Sequence, residues 1–254
     1  MLYKGNMKTL SLISVASSFA LLSFGGLGSA QGQTVSEAPT PQEAGSGEST
    51  QPDYVLELFT SQGCSSCPPA NKFASNLAQR RDDALVLSYG VTYWDYLGWK
   101  DTFGDPAFTQ RQRDYGKALG AHNVYTPQMV INGAAHSPRY SKSDVTSMPL
   151  PNPSPQASLS LLADGKLQLQ ADVPADYNLS LIRYTPGLQQ VAVKRGENGG
   201  RTLGIVNVVE EVKSLIWNGQ SLVLDAPLEA DQTYAVLFHE PGSVQIVTAA
   251  VLKP

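Results

Sequence analysis

Cys64 and Cys67 are the only cysteines in the chain, separated by Ser65 and Ser66. A disulfide across so short a gap closes a tiny loop and gains little from chain entropy, so the pair is poorly placed as a mere staple. Two thiols one turn apart at the start of a helix suit thiol–disulfide exchange better. Free amide hydrogens and the helix dipole favour a thiolate there. That geometry assigns roles. Cys64, exposed at the loop tip, attacks or is attacked, and Cys67, one turn in and shielded, resolves the mixed disulfide. The pair alone leaves two other chemistries open, an inert structural disulfide and a pair of metal-binding thiols.

Further residues bear on that choice. Glu57 is the one charged residue in an otherwise apolar run, seven positions before Cys64. A buried carboxylate there, its pKa raised by desolvation, would move protons to and from Cys67; the plain alternative is a strand residue facing water. Thr126-Pro127 precedes another apolar run, and a cis peptide there would leave backbone groups free to pair with a substrate chain. His122 and His136 flank that dipeptide. Two thiolates plus one of these histidines would suit copper(I) or zinc, giving a candidate ligand set of Cys64, Cys67, His122 and His136. No cofactor is expected in the exchange reading beyond the redox-active disulfide itself.

The elements that must position these residues follow from periodicity. Residues 54–59 form a short apolar run of the kind buried on both faces of a sheet. Pro68 and Pro69 suit the first turn of a helix. Ala70, Phe73, Ala74, Leu77 and Ala78 then fall on one helical face. Residues 84–89 read as a second buried strand. Asp105-Pro106 reads as a cap and first turn of a second helix. Its apolar stripe is Phe108, Tyr115, Ala118 and Leu119. Residues 128–131, followed by Asn132-Gly133, read as a strand entering a hairpin. Pro149, Pro151, Pro153 and Pro155 form a stiff connector over 149–156. Beyond it the period becomes two, with strands expected near 159–161, 167–171, 179–184, 189–194, 204–212, 222–224, 234–238 and 244–252. Several short strands with turns between them read as an antiparallel sandwich.

The N-terminus has the three parts of a secretory signal: Lys4 and Lys8, an apolar stretch, and Gly28-Ser29-Ala30 as a cleavage site, giving residues 1–30. A membrane anchor is the rival reading of that segment. Residues 31–52 carry almost no large apolar side chain and read as a flexible linker. The formal net charge is −4. Removal of Lys4 and Lys8 makes the mature chain more acidic, which gives no electrostatic footprint for nucleic acid or anionic lipid. No later segment is long and apolar enough to span a membrane once the signal is cleaved. Both cysteines survive cleavage and would enter an oxidising compartment, periplasmic or extracellular. Partners are therefore expected to be protein or small-molecule thiols and disulfides.

Taken in order, Cys-x-x-Cys after a first strand and Thr-Pro before an Asn-Gly hairpin resemble the thioredoxin fold. More closely, residues 56–70 (LELFTSQGCSSCPPA), 93–101 (YWDYLGWKD), 125–133 (YTPQMVING) and 193–198 (VKRGEN) are similar to a secreted bacterial thioredoxin-like family, domain of unknown function 1223. The resemblance implies an α/β thioredoxin-like domain over 53–148, then a small all-β, antiparallel sandwich-like domain over 157–254. It also implies export, but no settled substrate. Ordinary thioredoxins carry Gly-Pro where Ser65-Ser66 stands and tryptophan where Gly63 stands, and their buried aspartate lies one residue nearer the first cysteine than Glu57. The site residues expected are Cys64, Cys67, Thr126, Pro127 and Glu57. The leading reading is an exported thiol–disulfide oxidoreductase. A copper- or zinc-handling thiol protein and a non-catalytic binding module with a structural disulfide stand beside it. The rings of residues 93–99 are expected to pack against the core, or else to form a rim over the dithiol. Arg195, Glu197, Asn198 and Arg201 are expected in an ion-paired loop at the domain interface, or in a ligand site.

Overall fold

The computed structural model describes residues 49–225, 227 and 231–252, and these fall within one compact unit. Residues 1–30 and most of the expected linker lie outside them. The linker's last residues do not: Ser49–Thr50 is a short edge strand, β1. An edge strand needs only backbone pairing, and Ser49 and Thr50 pair with Leu252 and Val251.

Strand β2 (Tyr54–Thr60) leads through the cysteine loop into helix α1 (Pro68–Arg80), then β3 (Ala84–Gly90). Helix α2 (Pro106–Ala118) starts where the Asp105 side chain accepts from the Ala107 amide at 2.7 Å, with Pro106 in the first turn. Strands β4 (Gln128–Ile131) and β5 (Ala135–Ser137) form the expected hairpin. Asn132 and Gly133 take φ of 51° and 62° at its turn, the left-handed values a tight hairpin needs. Gly133 is further required by close approach, since a Cβ there would lie 1.9 Å from the Val244 carbonyl oxygen. Helix α3 (Lys142–Thr146) is closed by a capping box between Ser141 and Asp144.

The later strands are β6 (Ala157–Leu161), β7 (Leu167–Ala171), β8 (Asn178–Ala192), β9 (Thr202–Ile216), β10 (Leu222–Leu224), β11 (Thr233–His239) and β12 (Ile246–Leu252). They do not build a separate sandwich. Nine strands form one sheet in the order β1-β12-β11-β8-β9-β3-β2-β4-β5, crossing the expected domain boundary where β9 runs parallel to β3. The two runs expected over 179–184 and 189–194 are one long bulged strand, β8, paired along its length with β9. The sandwich pattern survives in part, because β10-β7-β6 is a second, three-stranded sheet. Leu159, Leu167 and Leu169 of that sheet pack with Tyr234, Val236 and Phe238 of β11. The proline connector is not a free spacer. Leu150 is buried and its amide bonds to the Asp53 carbonyl, while the Ser154 hydroxyl bonds to the Val247 carbonyl.

Alternation along β2 sorts its side chains onto two faces. Leu56 and Leu58 pack with Ala70, Ala74 and Leu77 of α1. Val55 and Phe59 pack with Phe108 and Tyr115 of α2. Glu57 therefore shares the α2 face.

Candidate functional site

The cysteine loop hangs between the end of β2 and the start of α1, and Cys64 and Cys67 are joined by a disulfide with their Cα atoms 5.5 Å apart. Cys67 is the residue capping α1, and its carbonyl accepts from the amides of Ala70 and Asn71. Pro68 and Pro69 carry no amide hydrogen. So the helix offers the sulfurs its dipole but not the free amides that the sequence pattern implied. The Ser66 hydroxyl lies 3.3 Å from the Cys64 Sγ and 3.3 Å from the Thr126 carbonyl oxygen. Thr126-Pro127 thus comes beside the disulfide, and its peptide bond is cis.

Contrary to expectation, Cys64 is not exposed. It shows 1% of its surface and Cys67 none, while Ser65 and Ser66 face outward. Two segments distant in sequence pack on this loop. The first is the loop after β8, where buried Asn198 donates from Nδ2 to the carbonyls of Cys64 (2.8 Å) and Gln62 (3.0 Å). Arg201 fixes the other end of that amide through a 2.9 Å bond to Oδ1. Glu197 accepts from the Ser65 amide at 3.0 Å, and the Ser65 hydroxyl and amide together hold its carboxyl below the usual range. This loop is a hydrogen-bonded clamp on the dithiol rather than the ion-paired interface expected.

The second segment is the aromatic stretch. Trp94 donates to the Thr126 hydroxyl at 2.7 Å and crowds Gly63, where a Cβ would meet the Trp94 Cβ at 3.1 Å. A larger residue before Cys64 would have to displace Trp94. Trp99 donates to the Gln62 side-chain oxygen at 2.8 Å. Asp101, buried, accepts from the amides of Gln62 and Phe103, although burial leaves its carboxyl raised. The stretch is therefore both packing and rim. Tyr96 is the exception, stacked on Trp94 yet 77% exposed.

Glu57 has a different setting from the one expected. Its carboxylate is fully buried and accepts from Arg111 Nε at 2.8 Å and from the Tyr115 hydroxyl. Burial pushes the carboxyl up, but the Arg111 charge and these hydrogen bonds outweigh it, and the net shift is downward. A carboxylate held ionised on the α2 face is not a proton shuttle to Cys67. The same guanidinium reaches Ser180 on β8, and Ser180 reaches His239 on β11. Neither Arg111, Ser180 nor His239 is marked by any local motif. They converge only because α2 crosses the sheet above β2, β8 and β11.

The histidines do not join the cysteines. His136 Nδ1 pairs with the Tyr125 hydroxyl at 2.6 Å and His122 is exposed. No cluster of three or more histidine, cysteine or acidic side chains suited to a metal ion occurs among the described residues. No described helix is long and apolar enough to cross a membrane.

The family described as protein of unknown function (DUF1223) matches residues 55–239. The chain belongs to this family. The match takes in the dithiol, the aromatic stretch, the clamp loop and His239. Among solved structures, the crystal structure of protein AGR_C_4864 from Agrobacterium tumefaciens is similar at 27% identity and a TM-score of 0.63, covering 80% of this chain and 95% of that one. HBP35 of Porphyromonas gingivalis is similar at 13% identity and a TM-score of 0.49, covering 80% of this chain and 76% of that one. No curated protein matches the chain.

Proposed function

We propose that the chain is an exported thiol–disulfide oxidoreductase of thioredoxin-like fold, acting through Cys64 and Cys67. The observation that carries this is the disulfide at the head of α1 with Thr126-Pro127 against it. The arrangement β3-β2-β4-β5, with α1 joining the parallel pair β2 and β3, supports the thioredoxin-like reading. The basic and apolar start of the chain and its paired cysteines support export to a compartment where a disulfide persists.

In the reduced protein, the Cys64 thiolate attacks a substrate disulfide. One substrate sulfur leaves as a thiolate and the other stays bound to Cys64. The Cys67 thiolate then attacks Cys64 Sγ, restoring the Cys64–Cys67 disulfide and releasing the second substrate thiolate, so two electrons pass to substrate. Cys67→Ser is expected to accumulate a mixed disulfide through Cys64, and Cys64→Ser to abolish exchange. If both variants reduce insulin at the wild-type rate, the reading fails.

The burial of both sulfurs favours a second reading, in which the disulfide is inert and the molecule is a binding module. A wild-type disulfide that resists dithiothreitol in the folded protein would establish it.

A further inference from the structure

A cleft of about 480 Å³ opens on the α2 face of the sheet and is lined by none of the dithiol residues. Ala107, Val212 and Val244 supply apolar wall, and Arg111, Ser180 and His239 supply polar floor. His239 Nδ1 lies 3.0 Å from the Val244 carbonyl oxygen, which only accepts, so Nδ1 carries the hydrogen. Burial and the Arg111 charge push this imidazole down to about 4, leaving it neutral at pH 7 with Nε2 free to accept. Ser180 Oγ lies 3.1 Å from that Nε2 and accepts from Arg111 Nη1 at 3.1 Å. Its hydroxyl hydrogen therefore points at the imidazole. A hydroxyl aimed at an unprotonated base, itself oriented by a third group, is the arrangement of an activated nucleophile.

Arg111 adds what such a site needs next. Of its five N–H donors, Glu57, Ser180 and Tyr115 each take one. Two have no partner among the described residues, on a side chain that lines the cleft, and in the proposal below they meet the developing oxyanion. Glu57 balances the guanidinium, so the floor has no net charge with which to recruit an anion. A neutral acyl group suits it better.

We propose that Ser180 and His239 are the nucleophile and general base of a second, acyl-transfer site that takes small neutral esters. Ser180 Oγ adds to the ester carbonyl carbon as its proton passes to His239 Nε2. The bond to the alcohol oxygen breaks, and His239 returns the proton to the departing alkoxide. Water then adds to the acyl-serine with the same proton transfer, releasing the acid and regenerating Ser180. So weak a base restricts the reaction to esters with good leaving groups. Nothing in this site depends on the dithiol reading.

The test uses the full chain with diisopropyl fluorophosphate and p-nitrophenyl acetate. One phosphoryl adduct per chain is expected, mapped by peptide mass spectrometry to Ser180, with a stoichiometric p-nitrophenol burst that prior labelling removes. His239→Gln is expected to slow labelling about a hundredfold. A wild-type chain with no adduct, or with its adduct on another serine, overturns the proposal whether or not any variant folds. A folded His239→Gln labelled at the wild-type rate overturns it too.

Discussion

The polar groups on the two faces of the central sheet are held in opposite ways. On the α1 side, the cysteine loop is gripped largely through its backbone: Asn198 on the carbonyls of Gln62 and Cys64, Asp101 on the Gln62 amide, Glu197 on the Ser65 amide. On the α2 side, Glu57, Arg111, Ser180 and His239 are joined side chain to side chain across four elements. A backbone grip fixes a loop while leaving the chemistry of its side chains free. A chain of side chains couples its members, so losing one strands the next in a buried setting.

The largest effect is expected from breaking the α2-side chain at its charge pair. Arg111→Met leaves the Glu57 carboxylate buried without a counter-charge, which costs about 3–5 kcal/mol. Urea unfolding would measure it, and adding Glu57→Leu should recover much of the loss, because two apolar groups leave no uncompensated charge.

Acid strikes the same α2-side chain. The unfolded imidazole takes up its proton near 6.5, while folded His239 does so only near about 4. Unfolding therefore binds a proton throughout that window, and stability falls as the pH drops through it, by about 3 kcal/mol in all. Glu57, lowered in the folded state, adds its own loss below its unfolded value of 4.5. In His239→Gln the first of these losses should vanish, which pH-dependent melts would show.

The smallest of the three effects lies on the α1 side. Asn198→Ala frees two buried carbonyls, at a cost of about 1–3 kcal/mol. It should also speed reduction of the disulfide by dithiothreitol, since Asn198 holds the Cys64 carbonyl and so the loop that carries the buried sulfur. A slower or unchanged rate would mean that the clamp does not control access.

How far each face could be foreseen follows from the same contrast. The dithiol is contiguous, and its spacing, its two prolines and the Asn132-Gly133 turn announced strand, helix and hairpin. Glu57 was conspicuous as a lone charge, but its partner was not, because Arg111 lies 54 residues on in an unremarkable amphipathic helix. With no partner in view, burial alone argued for a raised pKa, and the ion pair reverses the sign. Period-two patterning found nearly every later strand. It did not say which strands would pair, so the parallel contact of β9 with β3, which turns two expected domains into one sheet, was invisible. The clamp residue Asn198 sits in a glycine-rich turn, and only the long β8–β9 hairpin carries it back to Cys64.

Exchange of Cys64 and Cys67 with substrate is best tested by the equilibrium reduction potential of the pair, measured in glutathione or dithiothreitol buffers. An exchanging dithiol should titrate between about −120 and −270 mV, the span of known oxidoreductases. A value below about −300 mV, the range of structural disulfides, would rule out exchange.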